Sequence, residues 1–399
     1  TGDWVVASTA GFTRVTFWPL SGSYPVVVDG YTTLTRPLAF SPDGKWLATN
    51  WEDRWLRLWP LRGSEASEVR SLEIPETPFR VRSLAFDAKG RYVFAVGARD
   101  QAWVVPLDGS TPWKLQEFSE DTQLNAADVS PSGRLLATAF SYGQGDETLR
   151  VMDLETGALR RFELPENPGA GTGASEAVTG YERGIASLGF ADESTLYTAG
   201  DGGLRRWNLE TGSHDLVAEA STGYATRGAF SADGGVGITA EWRVGKVWED
   251  CPRALLHDLV SGTFRELTKF GKCSAWSRFA IALDPSGTVA AIGNSDGTVR
   301  VGRLSGEEPH LLVGHKGAVD YIAISPDLRW VATTGEDNTL RLWPMPDLSK
   351  PPLHTLPRDE LLAKLRSLTN LRVITDLSSP TGWKVEIGPF PGWKDVPTW

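Results

Sequence analysis

Residues that carry chemistry are scarce in this chain. Its 399 residues include two cysteines and five histidines. The histidines, His214, His257, His310, His315 and His354, are scattered. They form no HExxH helix motif and no metal-spaced pair. There is no CxxC pair and no GxSxG nucleophile elbow. Residues 169–175 (GAGTGAS) match a phosphate loop only in glycine content, lack the following Lys-Ser/Thr, and read as a plain loop. No apolar run approaches the ~20 residues that span a bilayer, so membrane insertion is not expected. No leader peptide is visible. Positive charge is in deficit, with 40 Lys and Arg against 50 Asp and Glu, a net charge of −10. Phosphate backbones need a basic face, so nucleic acid is not an expected partner. Helical periodicity is absent from most of the chain. Together these absences count against a metalloenzyme, a serine hydrolase and a nucleotide-binding enzyme, and no cofactor is expected.

What the chain does have is repetition. The block at 38–61, LAFSPDGKWLATNWEDRWLRLWPL, recurs in weaker form at 84–107, 127–154, 188–209, 229–259, 281–304 and 323–345. A partial copy, DWVVASTAGFTRVTFWPL at 3–20, begins halfway through the pattern. Each complete copy is an apolar run, a turn, a second run, a second turn and a third run. The first turn reads SPDG, DAKG, SPSG, ADES, SADG, DPSG or SPDL. Pro and Gly at such positions supply fixed and positive φ for a tight reversal. The third run ends on Trp18, Trp59, Trp207 or Trp343 in four copies, and on Val105, Met152, His257 or Gly302 in the others. A shorter β-like run follows several copies. One unit is therefore four short antiparallel strands, labelled a to d from the inside outward. A lone sheet of this kind cannot bury both faces, and radial stacking of several can.

On these residues the chain resembles a WD-repeat β-propeller. The last copy matches best, with Gly314-His315 before its first strand, Thr333 in the second, Asp337 in the turn and Trp343 in the third. The resemblance implies that His315, Thr333, Asp337 and Trp343 form a buried hydrogen-bonded network, a structural role rather than a metal or base role for His315. Departures are large elsewhere: Pro19, Pro60 and Pro344 follow Trp where the family has Asp, and most copies lack the His.

Counting each b–c hairpin as a blade predicts an all-β, eight-bladed propeller of four-stranded antiparallel blades, with seven blades as the alternative. The propeller is expected over 1–356 and a tail over 357–399. In the tail, PRDELLAKLRSL (357–368) predicts a short helix from its early Pro and acids, its later Lys and Arg, and a Leu stripe. The runs 371–375 and 383–387 predict a β-hairpin, either strand of which could complete the first blade. The tail also resembles the ends of bacterial WD-repeat proteins, some fused to serine/threonine kinases, although no kinase motif occurs in the chain.

Loop length carries the functional signal. In a propeller the b–c and d–a loops share one face and the a–b and c–d loops the other. The a–b turns are uniformly short. The long insertions, 141–147, 165–184, 242–253 and 271–277, are all b–c or d–a loops. One-sided insertions mark a binding face. They carry Tyr142, Tyr181, Trp242, Arg243, Lys246, Trp248, Lys272 and Trp276, residue types enriched at interface hot spots apart from Lys. Cys251 and Cys273 lie in neighbouring loops of this face, close enough for a disulfide that would stabilise by about 3 kcal/mol and favour an extracytoplasmic location. Free thiols in a cytoplasmic protein are the other reading, and the compartment stays open. The resulting expectation is a monomeric, non-catalytic scaffold or sensor that binds a protein or peptide through this face, within a bacterial signalling protein. A propeller hydrolase or lyase with acids at the channel mouth is one alternative, and a purely architectural module the other.

Overall fold

The a–b turns show how the repeat sets its geometry. Ser41 donates its hydroxyl proton to Asp43 Oδ1 at 2.6 Å and accepts from the Trp46 amide at 2.9 Å. Gly44 completes the reversal at φ 67°, a left-handed angle that costs glycine little. The same Ser–Asp clasp recurs at Ser231–Asp233 and Ser325–Asp327, each at 2.6 Å. In the latter, Leu328 takes the glycine's place at φ 55°. Each turn thus satisfies its own backbone and aims a hairpin inward.

The computed structural model describes residues 4–8, 15–19, 26–28, 37–50, 53–61, 69–75, 81–97, 101–115, 124–140, 148–163, 184–200, 203–219, 225–241, 253–270, 280–361, 371–375 and 383–387. They form seven four-stranded antiparallel blades. The inner strands of blades 1 to 7 are Leu38–Phe40, Val81–Phe86, Leu124–Val129, Ile185–Phe190, Ala225–Phe230, Ala280–Leu283 and Val319–Ile324. Strands b, c and d follow outward in each blade. In blade 7, strand d is Val26–Val28 from early in the chain, paired Val26↔Leu342, Val27↔Arg341 and Val28↔Leu340.

The expected eight blades are therefore corrected to seven. An apolar cluster fills every joint between blades. Leu56, Ile74, Val81 and Trp103 join blades 1 and 2, and Phe94, Val104 and Leu136 join 2 and 3. Phe162, Leu196 and Trp207 join 3 and 4, and Tyr197, Leu204 and Phe230 join 4 and 5. Ile238, Phe270 and Ile292 join 5 and 6, and Val301, Val319 and Trp343 join 6 and 7. Blade 7 then packs directly on blade 1 through Leu47, Leu61, Ala332 and Leu340. An eighth sheet has no slot. The partial first copy instead forms a separate two-stranded sheet, Trp4–Ser8 with Val15–Pro19. Its following run closes the ring. The hairpin Leu371–Thr375 with Trp383–Ile387 is likewise a two-stranded sheet of its own and completes no blade. The helix expected at 357–368 is described over 358–361, its first turn closed by a 2.9 Å bond from the Leu361 amide to the Pro357 carbonyl.

Candidate functional site

Blade 7 holds a continuous polar chain. Trp343 Nε1–H donates to Thr333 Oγ1 at 2.8 Å. The Thr333 hydroxyl lies 2.8 Å from His315 Nε2, and His315 Nδ1 lies 2.9 Å from Asp337 Oδ1. One tautomer satisfies all of it: Nδ1–H donates to Asp337 and Nε2 accepts from Thr333. Burial, the largest influence on Asp337, pushes its carboxyl upward. Hydrogen bonds from His315, the Lys316 amide and Thr339 outweigh it and hold the group well below the usual carboxylate range. Every member is nine-tenths or more buried, so the arrangement is a strut between the d–a loop and strands b and c, with no surface for a substrate.

The other blades keep parts of this column. Trp59 donates to Thr49 and Trp207 to Thr198, each at 2.9 Å. In blade 5, His257 stands for the Trp, with Nε2 at 2.7 Å from Thr239 Oγ1, and burial lowers its pKa to about 4. In blades 2 and 6 donor and acceptor vanish together: Val105 and Gly302 replace Trp, and Ala95 and Ile292 replace Thr. Losing both members leaves no buried orphan, which makes the change cheap. The space at Gly302 is filled from elsewhere. A Cβ there would meet Pro309 at 2.9 Å and Phe270 at 3.6 Å, and Phe270 is 4% exposed on the turn Thr268–Phe270. In blade 1, Asp53 binds Arg57 through two bonds of 3.0 and 2.7 Å, an ordered ion pair.

Among the described residues, a feature open to a ligand is the central channel. It contains a polar cavity of about 200 Å³ lined by inner-strand residues of all seven blades. The lining residues lie at the second to fourth positions of the six-residue inner strands, so the cavity sits near the middle of the channel. Five inner strands carry a β-bulge near their start, between Val81/Ser83, Leu124/Ala126, Ile185/Ser187, Ala225/Arg227 and Val319/Tyr321. A bulge sets two residues opposite one and re-aims their side chains. Arg82 with Ser83, and Ala186 with Ser187, consequently both line the cavity. Arg227 of blade 5 reaches past blade 6. Its Nη1 donates to the Asp320 carbonyl of blade 7 at 2.6 Å, and its guanidinium lies 4.4 Å from the centre of the Tyr321 ring. Farther along the inner strand, Asp128 of blade 3 accepts from the Phe190 amide of blade 4 at 2.8 Å. Burial pushes its carboxyl up to about 6 against that hydrogen bond.

Tyr142, Tyr181, Trp242, Arg243, Lys246, Trp248, Lys272, Trp276, Cys251 and Cys273 lie outside the described residues. Among the described residues no group of three or more His, Cys, Asp or Glu could hold a metal ion, and no helix is long and apolar enough to cross a membrane. Sequence reasoning missed the channel residues. A signal was present, since Arg82 and Arg227 each interrupt a run of small or apolar residues (VRSLAF, ATRGAF).

Residues 306–344, which end blade 6 and supply the a, b and c strands of blade 7, match the WD domain, G-beta repeat. "Protein tipD" of Dictyostelium discoideum is 29% identical over 216 residues, covering 53% of this chain and 30% of that protein. "WD repeat-containing protein 90" of Mus musculus is 25% identical over 352 residues, covering 84% of this chain and 15% of that protein. The matched stretch thus spans less than a third of either relative.

Proposed function

We propose that this chain, a member of the WD40-repeat β-propeller family, binds a protein or peptide partner through its b–c/d–a face. WD40 propellers are typically non-catalytic protein-interaction scaffolds, and the finer claim concerns which surface does the binding. The observation that carries it is the one-sided placement of the long loops. The four long insertions each fall between strands b and c or between strand d and the next strand a, and the polar cavity opens along the same channel. A partner seated on this face would meet loops whose sequence carries Trp, Tyr, Arg and Lys, mostly residue types that anchor interfaces.

The proposal includes membership of a larger bacterial signalling protein, supported by the resemblance of the tail; both relatives named above are eukaryotic. The test compares partner capture by the native chain, by a variant with Trp242, Trp248 and Trp276 changed to Ala, and by a variant altered at exposed Val260, in the blade 5 c–d turn, and exposed Phe264, which opens its strand d. Quantitative mass spectrometry of captured proteins should show specific partners lost only from the first variant. Retention of all partners by that variant would refute the face assignment.

A further inference from the structure

We infer that the outer groove between blades 3 and 4 docks an acidic peptide segment that also presents an apolar side chain. The inference is independent of the binding-face reading, because this groove opens on the outer wall of the ring. One side of it is strand d of blade 3, Leu159–Glu163. The other side is built by strands c and d of blade 4, Gly203–Asn208 and His214–Ala218. Register decides which side chains enter. Trp207 pairs with His214 and Arg205 with Leu216, and cross-strand partners share a face. That face looks toward blade 3, because Trp207 meets Phe162 edge to face with ring centroids 6.2 Å apart. Arg160, two residues before Phe162, enters from the blade 3 side with it.

Among the described residues of these strands, the ionisable side chains that this register directs into the groove are all basic: Arg160, Arg205 and His214. The carboxylates of Glu163 and Asp215 are one residue out of phase and lie on the opposite faces, where Asp215 binds Arg206 at 3.0 Å. One-signed positive charge is against the trend of a chain whose net charge is −10. Arg205 is half-buried, and burial lowers its pKa. Its Nη1 lies 3.4 Å from His214 Nδ1, a neighbour that offers no negative charge. Burial, and then the Arg205 charge, hold His214 below the usual histidine range, and its ring lies 4.6 Å from that of Trp207. Arg160 reaches across to the Glu210 carbonyl at 3.4 Å. Buried Phe162 and Trp207 close the floor, whereas Leu216, opposite Arg205, is 43% exposed. A half-buried guanidinium without a carboxylate keeps its desolvation cost and lacks the ion pair that would offset it. An incoming Asp or Glu supplies that pair through the planar fork, and an apolar residue beside it covers Leu216. A free inorganic anion would leave Leu216 exposed, which favours a peptide.

The experiment follows the fluorescence anisotropy of two rhodamine-labelled peptides titrated with the whole chain at low ionic strength. One peptide alternates Glu with Leu, and the other alternates Lys with Leu. The chains are native, Arg205→Gln, Leu216→Ser and Arg161→Gln, each checked for native circular dichroism. Arg161 neighbours Arg160 in the same strand and points to the opposite face, so its change removes the same charge outside the groove. The native chain should bind the Glu peptide saturably and about tenfold or more tightly than the Lys peptide. Arg205→Gln and Leu216→Ser should each weaken that binding about fivefold or more, the loss of one charge-assisted contact or one apolar contact. Arg161→Gln should stay near native. The Cε1 proton signal of His214, one of five histidines, should move when the Glu peptide is added. Should Arg205→Gln fail to fold, Leu216→Ser and the His214 signal carry the test. Absence of saturable Glu-peptide binding overturns the inference, as does equal affinity for the Lys peptide. Equal losses in Arg161→Gln and Arg205→Gln, or a His214 signal unmoved at saturation, also overturn it.

Discussion

Asp128→Asn should raise stability at neutral pH and leave it nearly unchanged in mild acid. The Asp128 carboxyl, turned from the inner strand of blade 3 to the Phe190 amide of blade 4, has a pKa of about 6, raised by burial from an ordinary value near 4. In the folded state it therefore holds a proton that the unfolded chain has released between these values. Stability from this group is fully present below pH ~4 and is lost as pH rises through 6. Two pH units at about 1.36 kcal/mol each set an upper bound of about 3 kcal/mol. Because the residue keeps partial solvent access, the expected effect is about 1–2 kcal/mol. His257 acts in the opposite sense over the same interval. Its pKa is lowered to about 4 by burial, so the unfolded chain binds its proton first and stability rises with pH between about 4 and 6.5. The two slopes partly cancel in the native protein, and the variant unmasks the histidine. Asn at 128 can still accept the Phe190 amide while carrying no charge. Urea unfolding at pH 4.5, 6.0 and 7.5 should give a stability difference between variant and native chain that grows with pH by about 1–2 kcal/mol. A difference independent of pH would refute the argument, as would a carboxyl titration midpoint near 4 in the folded chain by carbon NMR.

Three further outcomes follow from the packing. Thr198→Val strands one buried donor, Trp207 Nε1, whereas Thr333→Val strands Trp343 Nε1 and His315 Nε2 together. At about 1–3 kcal/mol per orphaned group, denaturant midpoints should show the second costing roughly twice the first. Phe270→Ala should cost about 3–5 kcal/mol, because this ring fills the space beside Gly302, and a second-site Gly302→Val should not restore it, since its Cβ would strike Pro309. Deleting residues 1–30 removes strand d of blade 7 and exposes the edge of Leu340–Pro344. The melting temperature should fall and aggregation rise, and a synthetic peptide covering residues 21–32 should reverse both in a concentration-dependent way.

The repeat made the blades legible because each one is specified locally, by alternating runs and by turns such as Ser41–Asp43 that satisfy themselves. The ring's closure is a long-range property and was misread for that reason. Val26–Val28 reads as a β-run like any other, and local reasoning attaches such a run to the hairpin immediately before it. The contrary signal lay at the far end of the repeats. Trp343 is followed by Pro344, Pro346, Pro351 and Pro352, a stretch poor in amide donors that could not supply its own strand d. A blade lacking an outer strand and a spare run early in the chain are complementary facts, and pairing them gives seven blades.

The channel was illegible for a different reason. Strict alternation allots successive residues of an inner strand to opposite faces, so sequence alone sets Arg82 and Ser83 on different sides. The bulge cancels one step of that alternation, and its recurrence in five inner strands places the change at a constant height in the ring. A shared irregularity of this kind is not required by the packing of the blades, because blade 6 packs on both neighbours through Ile292, Val301 and Val319 without a bulge in its own inner strand. The bulges' common effect is on what faces the channel. Arginine in a run such as VRSLAF has only two places to go, into an apolar joint where its charge would be buried at a cost of several kcal/mol, or onto the wall. The register sends both arginines to the wall.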